Sequence, residues 1–372
     1  MVLLLPMAAC QGGGGTQEPG RLQDQGELIC LGNEVTGQGN VWRRQDPDDL
    51  ELRDLPCLTG DSRLHGTYVP SLTTSRDDVA AQEGKITESA EHRFVYDPGD
   101  PRLNEVEAYY VATHMANWLV GGLQPREEFS TAVGRARSNE FYLDYDKDEV
   151  ESKQLCSQLL LGMRGVQRDL LNVDVFAHEF GHHLLFSLNH QIGNSLLHEG
   201  LADYLAAAFT NDSVVEPSLE WPGFDRDLAN DFSAPKDVLT RGPYCQRMLD
   251  AIQAGNMASV YPGLVEQFNT CLSQDPATLQ TPEPHWAGMI LGGALWELRE
   301  LLGEEVFHPV LFKALSVTPM DGTGDLLQQL LQADTVLQQG ADQEAITEVF
   351  TRRGIAQNLT PGFPRIEYPD CP

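Results

Sequence analysis

Residues 173–188 read VDVFAHEFGHHLLFSL, and this stretch contains the most specific motif of the chain. Its apolar residues recur at helical spacing, and inside that helix His178, Glu179 and His182 form the pattern H-E-x-x-H. Residues four apart lie on one face of a helix, so both imidazoles can converge on one metal ion. The carboxylate of Glu179 can accept a proton from a water molecule at that metal. The stretch therefore predicts an active-site helix that binds zinc.

Residues 194–209, NSLLHEGLADYLAAAF, supply the acidic side chains that such a site needs. A hydrolytic zinc site uses three protein ligands and keeps one position open. Glu199 can complete the ligand set, and Asp203, one turn later, can accept the ring N–H of a ligand histidine. A second interpretation is that both are solvated charges on the helix surface. His183 and His198 lie next to ligands in the sequence, but we expect them to face elsewhere and to be structural.

Together, the two stretches resemble the gluzincin metallopeptidases, and within them the thermolysin and fungalysin type. In those enzymes the glutamate of the second helix is the third zinc ligand, and the aspartate four residues later supports a zinc histidine, which matches Glu199 and Asp203. Residues 284–300, PHWAGMILGGALWELRE, resemble the helix that brings a transition-state histidine to the zinc, here His285. The resemblance implies a zincin-like fold, Zn²⁺ as cofactor and a peptide or protein substrate.

Three shorter segments extend the resemblance. SNEFY, residues 138–142, resembles the edge-strand segment whose asparagine holds the substrate backbone, which indicates Asn139. RDLAND, beginning at Arg226, resembles the segment that supplies an arginine. EVFTRRGI, residues 348–355, resembles the last helix of these enzymes. The resemblance implies that Asn139 and Arg226 contact the substrate.

Two departures from the family pattern limit what the resemblance implies. His190 stands where thermolysin-type enzymes have a tyrosine that assists the oxyanion. It either replaces that tyrosine as a donor or only caps the loop. The calcium-binding carboxylates beyond the second helix are not recognisable, so calcium dependence is not carried over.

The order of predicted elements indicates the α+β class. Short apolar runs broken by Gly, Pro and Asp favour strands up to about residue 96, and helical periodicity begins at Asn104. The predicted later helices are 174–189, 196–209, 243–254, 285–302 and several within 307–353, with a loop-like segment over 211–242. We expect a signal-like segment over 1–9, a flexible tether over 10–27, a β-rich N-terminal subdomain over 28–173, and active-site helices with a mainly α-helical C-terminal subdomain over 174–372.

The N-terminus indicates export. Its apolar run, MVLLLPMAA, is too short to cross a bilayer but matches the end of a secretory signal. Ala8 and Ala9 before Cys10 resemble the lipobox of bacterial lipoproteins, whose cysteine is acylated, although no Lys or Arg precedes the run. A second interpretation is an apolar N-terminus without function. We expect a cell-envelope lipoprotein or a secreted protein that touches the membrane only through an anchor at Cys10.

The number of cysteines is also compatible with an exported protein. If Cys10 carries lipid, six remain, which suits three disulfides in an oxidising compartment. The sequence does not choose among the pairings, although Cys30 with Cys57 and Cys245 with Cys271 close the shortest loops. Reduced structural cysteines are the other interpretation.

Composition narrows the class of function. The chain has 372 residues, with 55 Asp and Glu against 25 Lys and Arg, and a formal net charge of −30. Such a charge repels nucleic-acid phosphates, so we expect no nucleic-acid partner. The sequence predicts an exported zinc endopeptidase in which a glutamate activates the attacking water. The alternative is a lipid-anchored binding or scaffold protein with a catalytically silent metallopeptidase fold.

Overall fold

The structure is a computed structural model, and it describes a large part of the chain. The described residues are 30, 34–42, 50–69, 71–73, 88–97, 100, 102–123, 140–144, 152–155, 158–162, 173–188, 192–215, 226–254, 262–316, 319–359 and 363. Strands and one long helix occupy the first half of this part, and helices dominate the second half. The α+β class predicted from the order of elements is confirmed.

The described helices are Arg102–Leu123, Val173–Leu188, Ser195–Thr210, Arg241–Ala254, Pro262–Leu272, Pro276–Leu279, Pro284–Leu302, Glu304–Leu315, Thr323–Gln338 and Gln343–Arg352. Pro262–Leu272 and Pro276–Leu279 were not predicted, and the others begin and end within a few residues of the predicted limits. Three of them carry the candidate site. We call Val173–Leu188, Ser195–Thr210 and Pro284–Leu302 the first, second and third site helices.

The strands form three small sheets. They are β1 (Val35–Trp42), β2 (Leu50–Leu58), β3 (Ser71–Thr73), β4 (Arg93–Phe94), β5 (Glu140–Asp144), β6 (Ser152–Leu155), β7 (Gln158–Gly162), β8 (Val214–Val215) and β9 (Arg226–Asp227). The first sheet has the order β2-β1-β4, and the second has the order β3-β5-β7-β6. Strands β3, β5 and β7 run parallel, whereas β6 pairs antiparallel with β7. Strands β6 and β7 lie beside the first site helix.

One hydrophobic core joins the first sheet to the site helices. It runs from Val41 in β1 to Phe363 near the C-terminus and includes Tyr109, Phe180 and Leu295. The second site helix is buried along almost its whole length, so it forms the centre of the helical half. Each of the three site helices is therefore anchored by packing, which is what a precisely placed site requires.

Two disulfides are formed in the described part of the chain. Cys30 is bonded to Cys57, and Cys245 is bonded to Cys271, the two pairs that close the shortest loops. The second pair joins two helices that carry a small core of their own, separate from the main one. Among the described residues, no helix combines the length and the apolar character needed to span a membrane.

Candidate metal centre

The first site helix presents two faces with different chemistry. Phe176, Phe180 and Leu184 recur at four-residue spacing and are buried in the main core. His178 and His182 lie on another face, and their Nε2 atoms are 3.1 Å apart. The helical periodicity that buries one face therefore brings both imidazoles to one point, as predicted.

Capping and close packing fix the second site helix against the first. The Asn194 side chain accepts hydrogen bonds from the backbone N–H groups of Leu196 and Leu197, which satisfies donors that a helix start leaves unpaired. Gly181 of the first helix faces Ala202 of the second so closely that a Cβ at residue 181 would lie 3.2 Å from the Ala202 Cα. This close approach brings Glu199 to the two histidines.

Three donor atoms converge in the spacing that zinc requires. The Oε2 atom of Glu199 lies 3.4 Å from Nε2 of His178 and 3.6 Å from Nε2 of His182, and the two Nε2 atoms are 3.1 Å apart. Zinc bound to nitrogen and oxygen at about 2.0–2.1 Å in a tetrahedral arrangement holds its ligand atoms about 3.3–3.4 Å from one another. The donor set and its spacing therefore fit zinc.

Burial and charge around these atoms also favour a cation. The Glu199 Oε2 atom is buried beside the Nε2 atoms of three histidines at 3.4–3.6 Å, and a positive ion bound among them would neutralise its charge. Burial alone would raise the pKa of Glu199, but His285 and His182 lower it well below its usual value. Burial and Arg226 both lower the pKa of His178, yet Asp203 and Glu199 outweigh them and raise it. A metal ion bound at His178 would displace this proton and would be attracted by the same carboxylates.

Asp203 contacts the Nδ1 side of His178, the side away from the donor cluster. Its side chain is fully buried, and its Oδ1 atom lies 2.7 Å from Nδ1 of His178. The Nη1 atom of Arg226, at the start of β9, lies 3.0 Å from the same oxygen. The predicted support of a ligand histidine by Asp203 matches this geometry. Arg226 is mostly buried against Asp203, so its described contact is with the site itself.

The third site helix brings His285 to the cluster. Nε2 of His285 lies 3.4 Å from Oε2 of Glu199, and its side chain is about half exposed at 47%. The Glu283 carboxylate caps this helix by accepting the backbone N–H of Trp286, and it also lies 2.9 Å from Nδ1 of His285. Burial and Arg226 lower the pKa of His285, but the carboxylates of Glu199 and Glu283 outweigh them and raise it above its usual value.

Glycines set the separation of the second and third site helices. A Cβ added to Gly200 would lie 2.7 Å from the carbonyl oxygen of Gly288, and one added to Gly288 would lie 2.9 Å from Cβ of Glu199. Such distances leave no room for a side chain, so the two backbones touch at this crossing. His285 and Glu199 can meet because of this pair of glycines.

The general-base candidate lies within reach of the ligands. A carboxylate oxygen of Glu179 lies within 4.8 Å of ligand nitrogens of both His178 and His182. Glu179 is only partly buried, so water can reach it. Glu179 and His285 therefore both lie close to the cluster formed by His178, His182 and Glu199.

Two predictions made from the sequence differ from the structure. His198 was expected to face away from the ligands, but its Nδ1 atom lies 3.2 Å from Nδ1 of His182. The SNEFY segment was expected to form an edge strand, but β5 pairs with a strand on each side. The direction of His198 depends on how two helices cross, and the neighbours of β5 depend on the strand order of the sheet. Neither feature follows from periodicity along the chain. His183 is buried and packs on the ring of Phe180, as expected for a structural histidine.

Some predicted residues lie outside the described part of the chain. They are Asn139, His190 and Cys10. Their roles in substrate binding, oxyanion assistance and lipidation stay predictions. Glu283 was missed, although its place two residues before His285 at a helix start is a typical capping position.

Comparison with known proteins gives no relative to reason from, because neither a family model nor a curated protein matches this chain.

Proposed function

We propose that this chain is an exported zinc endopeptidase of the gluzincin type, with a zincin-like fold. The observation that carries the proposal is the convergence of Nε2 of His178, Nε2 of His182 and Oε2 of Glu199 at 3.1–3.6 Å from one another. Support for the fold comes from a sheet beside the first site helix and from a second helix that supplies the third donor. The resemblance to thermolysin and fungalysin rests on these same elements.

Glu179 carries the proton transfers of peptide hydrolysis in this proposal. Zinc, when bound, lowers the pKa of water to about 7 and polarises a carbonyl. Glu179 accepts a proton as the water oxygen attacks the peptide carbon, and the new C–O bond forms. The same carboxylic acid then gives that proton to the nitrogen as the C–N bond breaks. Water is consumed, and an acid and an amine are released.

His285 stabilises the charge that develops on the carbonyl oxygen. Its Nε2 atom faces the donor cluster, its ring is half exposed to an incoming substrate, and Glu283 holds its Nδ1 atom. A protonated ring in this position donates a hydrogen bond to an oxyanion.

Export is supported by the two disulfides, which persist in oxidising compartments. Cell fractionation tests this, and a disulfide-bonded enzyme confined to the cytosol would contradict it.

Hydrolysis of an unfolded protein is the direct test of the proposed function. We expect the full chain to cleave casein, to lose this activity when a chelator removes the metal, and to regain it when zinc is restored. Fragment masses identify internal cleavage. Activity that persists without metal, or an inert protein at full zinc occupancy against a broad panel of peptides, would contradict the proposal.

Replacement of His285 by alanine separates a transition-state role from a ligand role. We expect kcat/KM to fall by about 10²–10³-fold, because one oxyanion donor is lost, while the zinc content is unchanged. Glu283→Gln is the companion variant. It keeps a capping oxygen but weakens the hold on His285, so its loss of activity should be smaller. Loss of zinc from His285→Ala would contradict the assigned role.

A further inference from the structure

Each candidate zinc histidine has a partner on its far nitrogen, and the two partners differ. Behind His178 stands the Asp203 carboxylate, 2.7 Å from Nδ1. Behind His182 stands a second imidazole, that of His198, with the two Nδ1 atoms 3.2 Å apart. Partners at this position fix the tautomer and the direction of a metal-binding ring.

The two rings meet through their nitrogens. The ring centres of His182 and His198 lie 5.4 Å apart, whereas the Nδ1 atoms lie 3.2 Å apart, and the ring planes differ by 29°. A separation of 5.4 Å is close to the 3.2 Å between the nitrogens plus about 1.1 Å from each nitrogen to its own ring centre, so the two nitrogens lie near the line that joins the centres. The contact is therefore edge to edge, the arrangement in which a ring N–H points at the lone pair of the other ring.

The tautomer that zinc binding requires identifies the donor of the hydrogen bond between His182 and His198. A histidine that offers Nε2 to a metal carries its hydrogen on Nδ1, so His182 donates. The Nδ1 atom of His198 must then accept, and a neutral imidazole that accepts at Nδ1 carries its hydrogen on Nε2. The ring of His198 also forms a hydrogen bond with the backbone of Ile192, of the kind that favours a ring N–H. The geometry that carries this assignment is the 3.2 Å separation of the two Nδ1 atoms.

We infer that His198 is a positioning residue for the zinc site, because its Nδ1 atom accepts the Nδ1–H of His182 and aims the opposite nitrogen at the metal. The inference rests on the proposed function, since it gives the partner of a proposed ligand. His198 is 2% exposed on the second site helix, directly before Glu199. One short segment thus supplies both a zinc ligand and the partner of another ligand.

A neutral partner has a consequence for the charge of the site. Glu199, Asp203 and Glu179 already place carboxylates around the cluster, and Arg226 pairs with Asp203. An imidazole fixes the His182 ring without adding a further negative charge beside these groups. The residue type at 198 therefore suits a crowded anionic site.

Zinc affinity of the full-length chain tests the inference. His198→Leu keeps an apolar volume but removes the acceptor, and we expect the zinc dissociation constant, measured by competition with a chelator, to rise about 10–100-fold. His198→Asn places an amide oxygen the same number of bonds from Cβ as Nδ1, so affinity should return to within a few-fold of the parent. His183→Leu is the matched control, because it removes another buried histidine from the same helix pair and should leave zinc affinity unchanged.

A spectroscopic measurement on the parent tests the inference without any variant, so it does not depend on whether a variant folds. In the zinc-loaded parent, a ¹H–¹⁵N spectrum of the histidine side chains should show His198 as the neutral Nε2–H tautomer. Equal zinc affinity of the parent and His198→Leu, or a hydrogen on Nδ1 of His198, would overturn the inference and leave the proposed function standing. Equal weakening by His183→Leu would overturn it too. A parent chain that binds no zinc would overturn both.

Discussion

Glu179→Gln should lower cleavage of an unfolded protein by about 10²–10⁴-fold, the usual contribution of a general base. Glutamine has nearly the same size as glutamate, but its amide oxygen does not accept a proton at neutral pH. Glu179 is not a proposed ligand, so zinc content and folding should be retained. The measurement is kcat/KM on casein or a peptide derived from it, alongside zinc content and circular dichroism.

A matched variant shows whether the loss belongs to this position. Glu348 is exposed on the last described helix, far along the chain from the site, and Glu348→Gln should leave the rate unchanged. Equal activity of Glu179→Gln and the parent would contradict the assigned base. Equal inertness of both at full zinc occupancy would favour the scaffold alternative, in which the fold binds a partner without turnover.

His182→Ala should abolish both zinc binding and activity. This change removes one of three donor atoms, so the loss of affinity should exceed the roughly 10–100-fold that follows loss of a ligand's hydrogen-bonding partner. Zinc that binds only the folded chain stabilises it by about 2.7 kcal/mol at a free concentration 100 times its dissociation constant. The parent should therefore unfold at higher temperature when zinc is added, and His182→Ala should not.

The neighbouring histidine supplies the control for this variant. His183→Ala removes a buried ring that packs on Phe180, so its unfolding temperature should fall. It should nevertheless keep the zinc-dependent increase, because His183 does not face the donor cluster. An increase retained by His182→Ala, or lost by both variants alike, would contradict the assignment of His182 as a ligand.

Features that repeat along one helix could be predicted from the sequence. The spacing of His178 and His182, and that of Glu199 and Asp203, places each pair on one helical face, and the structure brings these four residues together. Such predictions need only the geometry of an isolated helix. The limits of most helices followed from the same periodicity, but Pro262–Leu272 and Pro276–Leu279 were not predicted.

Features that depend on how elements cross could not be predicted in this way. His198 meets His182 only because two helices approach closely at Gly181 and Ala202. The position of β5 between two neighbours depends on pairing with strands distant in the chain, so the edge-strand prediction was wrong. Glu283 has a local capping role that the sequence does reveal, but its contact with His285 becomes meaningful only once the third site helix lies against Glu199.

Zinc-edge X-ray absorption on the purified, folded chain tests the central claim most directly, namely that His178, His182 and Glu199 hold zinc. We expect close to one zinc per chain, with only nitrogen and oxygen neighbours at about 2.0–2.1 Å and the outer scattering of two imidazole rings. The chain also contains three cysteines outside the two described disulfides, Cys10, Cys156 and Cys371, whose thiols would give zinc sulfur neighbours. Sulfur neighbours at about 2.3 Å, or zinc far below one per folded chain, would contradict the claim.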